Sequence, residues 1–502
     1  MITLDPNRHE PLYIQIREQI RGQIQSGALQ AGDRLAPSRE LARTLGVHRT
    51  TVGNAYADLE AQGLIRGDVG RGTYVLPSSI EEAPEAATPS AAFYWESLFT
   101  KGPQDDSLPR LLASAQEAGV ISFAVTHGPL DPDLAEMVRR VTNAVLRREG
   151  ARLLQYGSSE GYAPLKTYLQ EQLRGDGITA GADEILITNG CQQSLDLLRR
   201  VLVEPGDGVA CENPAYTGLS SIFNAPSARL AGIPVGPSGI DLDRLVAVLE
   251  RHRVKLILVS PNFQNPTGRT LPLEARKKLL EISGRYQVPV LEDDIYGALR
   301  FQGPPLPSLK SLDRTGLVVY LNSFSKVGFP GLRVGWVVGS RPLIERLRLA
   351  KQQADLHTNM LGQAVLEELG KRGLLEKVMR KARAIYAQKL GVLRAAVEER
   401  FPEEVQCFYP EGGMSVWITL PAGLNSMDLL AKAREQGVIF APSRYFYFQE
   451  AQDNGLRLCF SALSVEEIGK GIQILGDVLR NEIRRGGTGR NASSVAAGMA
   501  LV

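Results

Sequence analysis

Cysteine is scarce and scattered. The 502-residue chain has four, Cys191, Cys211, Cys407 and Cys459, with no C-x-x-C pair. That spacing argues against a disulfide framework and against a zinc ribbon. Long hydrophobic runs are missing too. The longest, such as Leu256 to Val259 and Leu317 to Leu321, are strand-sized and far short of the ~20 residues a membrane helix needs. No charge of one sign dominates: 57 basic residues against 55 acidic ones leave a net +2. Binding driven by bulk charge is excluded, while a local DNA-reading face is not. Asp5, Arg8 and Glu10 precede any apolar run, so no secretory signal begins here. The expectation is a protein of a reducing compartment, the cytoplasm, with no membrane partner and no metal site.

What is present is unevenly distributed. From Pro77 the chain reads PSSIEEAPEAATPSAA, rich in proline and alanine with a single isoleucine. No packed face can form there, so residues 77–98 read as a semi-extended linker. It separates a front module, 1–76, from a body, 99–484. Residues 485–502 are Gly-, Ser- and Ala-rich and aperiodic, which predicts a frayed tail.

In the front module Leu12, Ile16, Ile20 and Ile24 recur at helical spacing. After a break at Gly32 and Pro37, Ser38 sits where a helix N-cap belongs, with Leu41, Ala42 and Leu45 facing inward and Gly46 as the stop. A second helix from near His48 places Val52, Ala55 and Leu59 on one face and ends at Gly63. Two such helices around a Gly-containing turn make a helix-turn-helix. Leu64 to Arg66, a turn at Gly67-Asp68, and Gly70 to Val75 then read as a hairpin wing. Residues 1–77 hold nine arginines, no lysine and eight acids, so placement matters more than net charge. Arg34, Arg39, Arg43 and Arg49 cluster on or before the helix-turn-helix, and Arg66 and Arg71 on the wing. Arg49, Thr50, Thr51 and Asn54 are expected to face base edges of double-stranded DNA in the major groove, with Arg34, Arg39 and Arg71 near phosphates or the minor groove. The run LAPSRELARTLGVHRTTVGNAYADLEAQGLI…GRGTYV resembles the winged helix-turn-helix of the GntR family of bacterial regulators. His48 stands where that family more often has Ser or Asn.

In the body, strand-like runs such as EILITNG, KLILVS, VPVLEDD and GLVVYLN alternate with helical ones such as CQQSLDLLRRVL and LEARKKLLEISGRY. That alternation predicts an α/β fold with a largely parallel sheet, whose ligands gather at strand carboxyl ends. Lys326, just past an apolar strand in SFSKVGFPGLRVGW, suits a Schiff base with an aldehyde cofactor. Arg333 and the hydroxyls of Ser323 and Ser325 suit a phosphate. Asp293, ending VPVLED, suits a pyridine nitrogen. Asn265 in PNFQNPTG and Tyr296 are placed to reach a phenolic oxygen, and Tyr216 in ENPAYTG to stack on a ring. Gly190, Cys191 and Gln192, where a strand meets a helix, offer amides to an anion. Each signal is weak alone; a lone strand-end lysine is ordinarily just solvated.

Together, in this chain order, they resemble the fold-type-I aminotransferases from about residue 120 to 480, closest to the branch with aminoadipate and kynurenine aminotransferases. The resemblance implies pyridoxal 5'-phosphate, an internal aldimine at Lys326, and Asp293 on the ring nitrogen. It also implies a homodimer in which Tyr156, in LQYGSSEGY, reaches the partner subunit's phosphate. Arg457, in GLRLCFSAL, matches the arginine that clamps a substrate carboxylate, and Gly128, in THGPLDPDL, the family's substrate-side glycine. Cys191 replaces a more usual serine or alanine, and a thiol beside the cofactor raises the expectation of oxidation sensitivity.

A GntR-type reader ahead of such a body resembles, end to end, the MocR subfamily of bacterial regulators. That implies a DNA-binding regulator sensing an amino acid or amine through aldimine chemistry at Lys326, on an operator with paired half-sites. Two readings compete: a working aminotransferase carrying a DNA module, since Lys326, Asp293 and Arg457 are all present, and a cofactor-free dimerisation platform, which retention of Lys326 and Asp293 disfavours.

Overall fold

The computed structural model describes residues 2–4, 10–68, 72–76, 107–115, 117–128, 131–223 and 228–486. The chain divides into two compact units, Met1–Gly102 and Pro103–Val502. The expected linker, 77–98, lies outside the described residues, and so does 487–502.

The first unit is built as its pattern predicts. Helix α1 (Leu12–Gln25) buries Ile16 and Ile20, and half-buried Ile24 packs on the same core. Strand β1 (Arg34–Leu35) precedes α2 (Ser38–Leu45), which ends at Gly46 with φ 65°. Helix α3 (Arg49–Ala61) buries Val52, Ala55 and Leu59 completely. Strands β2 (Ile65–Asp68) and β3 (Gly72–Val75) complete an antiparallel sheet in the order β1-β3-β2.

Two local expectations are corrected. Ser38 is the first helical residue rather than the cap; Pro37 takes the cap position, and its carbonyl accepts from the amides of Glu40 and Leu41. The fixed φ of proline suits it to that entry, so the helix starts at Ser38 itself. Gly67 and Asp68 are not the wing's turn: they are strand residues that pair with Thr73 and Gly72.

In the second unit strands β4 (Ile121–Ser122), β5 (Ile185–Thr188), β6 (Asp207–Asn213), β7 (Ala228–Gly236), β8 (Gly239–Ile240), β9 (Val254–Val259), β10 (Val290–Asp293), β11 (Val318–Ser323) and β12 (Gly335–Val338) come first. An eight-stranded sheet runs β5-β12-β11-β10-β9-β6-β7-β8. It is parallel except at β12, antiparallel to both neighbours, and at β8, which folds back on β7. Helices cover it on both faces, and strands such as β5 (ILIT) and β9 (VKLILV) are accordingly rich in Val, Ile and Leu. Alternate residues serve opposite cores: Leu291, Val319 and Leu321 enter one, Val290 and Val318 another. The predicted helices CQQSLDLLRRVL and LEARKKLLEISGRY form with the same ends, Cys191–Leu202 and Leu273–Tyr286.

The rest of this unit carries β13 (Gln406–Phe408), β14 (Ser415–Thr419), β15 (Val438–Ile439), β16 (Ala441–Pro442) and β17 (Gly455–Cys459). An antiparallel sheet of order β13-β14-β17-β16 packs with the long helices Leu374–Arg400 and Val465–Gly486. That last helix runs two residues past 484. Among the described residues no helix is long and apolar enough to cross a membrane.

Candidate cofactor site and DNA-reading face

A cavity of about 330 Å³ opens where β10, β11 and β17 converge, lined by Cys191, Gln192, Tyr216, Asn265, Asp293, Tyr296, Ser323, Ser325, Lys326, Arg333 and Arg457 among others. Residues from widely separated stretches of sequence thus meet, as strand-end placement predicted.

Lys326 lies three residues beyond β11. Its Nζ donates to the Thr126 carbonyl at 2.8 Å and contacts Thr126 Oγ1 at 3.3 Å. Burial, the largest cause, brings the amine down to about 8. That is the direction a nucleophilic amine needs.

Around the expected phosphate seat, Arg333 Nη1 donates to Ser325 Oγ at 3.3 Å and Nη2 to the Asn189 carbonyl at 3.0 Å. Ser323 Oγ donates to Ser325 Oγ at 2.8 Å. Gly190 caps the helix Cys191–Leu202 with φ 88°, and a Cβ there would lie 2.8 Å from Arg333 Nη2. Only glycine lets the guanidinium approach that backbone. The first helical amides to find backbone acceptors are those of Gln193 and Ser194, both to Gly190. Those of Cys191 and Gln192 stand at the open N-terminus, where an anion binds.

Asp293 is buried and its Oδ1 has no hydrogen-bond partner. Burial pushes its carboxyl up to about 7. Its neighbours are fully employed: Glu292 accepts from the amides of Leu309 and Lys310, and Asp294 from Asn262 Nδ2 and Tyr320 Oη. An orphaned buried carboxylate oxygen on a residue that lines a cavity is a candidate ligand position.

Arg457, on β17 and buried, donates from Nη1 to Asn265 Oδ1 and from Nη2 to the Ala124 carbonyl, both at 2.7 Å, while its Nε has no partner. Asn265 and Arg457 are therefore joined, a link the sequence did not show. Tyr216 donates its hydroxyl to Gln192 Oε1 at 3.0 Å. Tyr296 is buried, its ring centroid 5.9 Å from Lys326 Nζ. Three expected residues do not line the cavity. Gly190 underlies it as described; Gly128 sits where a Cβ would come within 3.1 Å of Tyr386 Oη; Tyr156 is 86% exposed, edge-on to His357.

Burial, with Asp293 nearby, holds the Cys191 thiol well above its ordinary range. The residue is half-buried and lines the cavity. Sequence reasoning missed Thr126, Ser260 and Phe446, and also Leu108 and Leu112 on helix α4 (Ser107–Ser114). Nothing near those leucines marks a site; only the fold brings them there.

In the first unit Arg34, Arg39, Arg49, Thr50 and Asn54 are exposed and Thr51 is half-buried, whereas Arg71 lies outside the described residues. His48 caps α3, with Nδ1 2.8 Å from Thr50 Oγ1.

The family model for aminotransferase class I and II matches residues 120–475, and that for bacterial regulatory proteins of the gntR family matches residues 12–75. The HTH-type transcriptional regulator TauR of Rhodobacter capsulatus is 31% identical over 485 residues, spanning 95% of this chain and 98% of that protein. The probable rhizopine catabolism regulatory protein MocR of Rhizobium meliloti is 28% identical over 482 residues, 95% of each. The chain belongs to the MocR subfamily of GntR-type regulators. It is a pyridoxal-phosphate-dependent, DNA-binding regulator. The body of this MocR-type chain is also similar to LysN, the α-aminoadipate aminotransferase of Thermus thermophilus, in a complex with N-(5'-phosphopyridoxyl)-L-leucine. The TM-score is 0.73 at 37% identity, over 78% of this chain and 100% of that one. The MocR-type cavity fits the cofactor by its own geometry. Asp293, with its Oδ1 unpaired, lines the same cavity as Lys326, and the Gly190 cradle leaves no room for a side chain.

Proposed function

We propose that this regulator senses an amino acid or amine at the Lys326 cavity and changes its hold on paired DNA half-sites in response, as a homodimer. One observation carries the reading. A lysine amine drawn toward neutrality, a buried carboxylate with an unpaired oxygen and an arginine with an unpaired N–H belong to the lining of one cavity, in a chain that also carries a helix-turn-helix.

Bound pyridoxal phosphate supplies an aldehyde for which the Lys326 amine and an incoming effector amine compete. Asp293 would keep a proton on the ring nitrogen, and Asn265 and Tyr296 would hold the phenolic oxygen. Ser323, Ser325, Arg333 and the Gly190–Gln192 amides would hold the phosphate, joined by Tyr156 of the partner subunit. Tyr216 would cover the ring face. Arg457 would grip an effector carboxylate with its guanidinium, with Gly128 on the effector's side. An effector shifts DNA affinity only by the difference in its affinity for the two states.

The test is to titrate the holoprotein with amino acids and amines, following the visible spectrum and operator binding by fluorescence anisotropy together. A compound that moves the spectrum is expected to move operator affinity too; spectral change with DNA binding untouched would overturn the sensing role.

Arg457→Ala is expected to weaken the response to α-amino acids about 10- to 100-fold, the loss of one or two charge-assisted hydrogen bonds, and to spare simple amines. Equal losses for both would mean that the arginine acts on the cavity's shape. Arg49→Ala is expected to cost about 1–3 kcal/mol at a specific operator. Competition with random DNA checks it: an equal loss there makes Arg49 a phosphate contact.

The similarity to an aminotransferase, with Lys326, Asp293 and Arg457 all in place, favours a second reading, turnover as a transaminase. Sustained formation of a 2-oxo acid over many cycles, with an amino-group acceptor supplied, would put the enzyme first.

A further inference from the structure

The cavity has a wall to which the cofactor residues give no role. Helix α4 anchors itself through Leu111 and Ser114, both buried, and Ser114 Oγ closes on the Leu111 carbonyl at 2.8 Å. Four-residue spacing puts Leu108 and Leu112 on one face, and both line the cavity. Leu112 is 38% exposed. Arg110, exposed, lies about 200° around the helix from Leu108 and is not among the lining residues. Val125, Ile295 and Phe446 extend the apolar surface.

Among the described residues of one chain, the lining's cations are Lys326, Arg333 and Arg457, and its one carboxylate is Asp293. On the sensing reading above, on which this inference rests, those four groups serve the effector amine, the phosphate, the effector's α-carboxylate and the ring nitrogen. Of these residues, no cation is left for a second carboxylate, and no anion for a second ammonium. Either would be desolvated against leucine side chains, the costly case for a buried charge.

We infer that the effector is an α-amino acid with one carboxylate and an uncharged, apolar side chain, seated against Leu108 and Leu112. Leu112 then determines specificity by what it excludes as much as by what it touches.

The experiment uses the full-length holoprotein and five probes: leucine, phenylalanine, glutamate, 2-aminoadipate and lysine. Each is titrated by visible absorbance and, separately, by the shift in melting temperature. Leucine or phenylalanine is expected to act at concentrations about tenfold or more below the charged three. In Leu112→Arg the order is expected to turn toward glutamate or 2-aminoadipate by about tenfold, since the new guanidinium supplies the missing partner. Leu112→Ser, which removes apolar contact without adding charge, is expected to weaken leucine and phenylalanine and leave the charged probes where they were. A wild type that prefers an acidic or basic probe, or a Leu112→Arg variant with an unchanged order, would overturn the inference while the sensing reading stood. Silence from all five in both readouts would overturn the inference and remove amino-acid sensing with it.

Discussion

Lys326→Ala is expected to abolish the visible band of the lysine-linked cofactor and every spectral response to effectors, with the protein still folded. The effect is all-or-none because the side chain that makes the link is gone. The fold is expected to survive because Lys326 Nζ bonds only to Thr126, and its burial already disfavours the charged amine. Removing a desolvated ammonium takes away a cost along with its contacts, so the melting temperature should stay within a few degrees. The wild-type protein supplies a companion measurement. An amine brought down to about 8 is half neutral near that pH. Uptake of pyridoxal phosphate by the stripped protein should therefore rise about tenfold per unit below pH 8 and level off above it. A visible band retained in Lys326→Ala would remove the assignment; an uptake rate still climbing toward pH 10 would place the amine outside the described environment.

Asp293→Asn is expected to act in opposite directions on the stripped and loaded protein. The substitution keeps the shape and removes the charge. On the proposed reading, the loaded protein would lose a charge-assisted hydrogen bond to the ring, so cofactor retention should weaken about 10- to 100-fold in equilibrium dialysis. The stripped protein gains. Burial raises the Asp293 carboxyl to about 7, so the folded chain keeps that proton to higher pH than the unfolded chain does. Stability is then lost as pH rises from about 4 to about 7, and stays lost above. A neutral amide avoids this, so the stripped variant should be more stable than wild type at pH 8, on the order of a few kcal/mol, and no different near pH 4. Thermal melts at the two pH values check the sign. Destabilisation at pH 8 would mean that Asp293 has structural partners its unpaired oxygen does not show.

Much of the architecture was legible because its signals are local. The runs read as helical between strand-like ones coincide with Cys191–Leu202 and Leu273–Tyr286, and glycine with positive φ marked the stop of α2. The convergence of the candidate site residues on one cavity was legible for a different reason: an α/β sheet gathers its strand ends, so chemistry found at those ends in sequence meets in space. What stayed hidden depends on distant partners. Strand β1 is two residues long and exists only because Arg34 and Leu35 pair with Tyr74 and Thr73. The reach of β2 through Gly67 and Asp68 is set by register against β3, which overrode the local turn preference of Gly-Asp. Arg457 and Asn265 lie 192 residues apart, so only folding reveals that they bond. The leucines of α4 carry no motif; an apolar pair at helical spacing reads as ordinary core, and here only one side of the helix is core.

The run Glu292-Asp293-Asp294 also bears on how this strand finds its alignment. Pleating sends Asp293 to the cavity and its two neighbours to the other side, where four donors are waiting for them. A one-residue slide of β10 would exchange these surroundings, sending two acids to the cavity side and offering the four donors only one. The apolar residues Val290 and Leu291 would lose their preferred sides by the same slide, but each could still find hydrocarbon. Donors that now share two acids would be left without acceptors, which is costly away from water. Misalignment is thus penalised by lost hydrogen bonds as well as by packing, so the strand's charges proofread its position as it assembles.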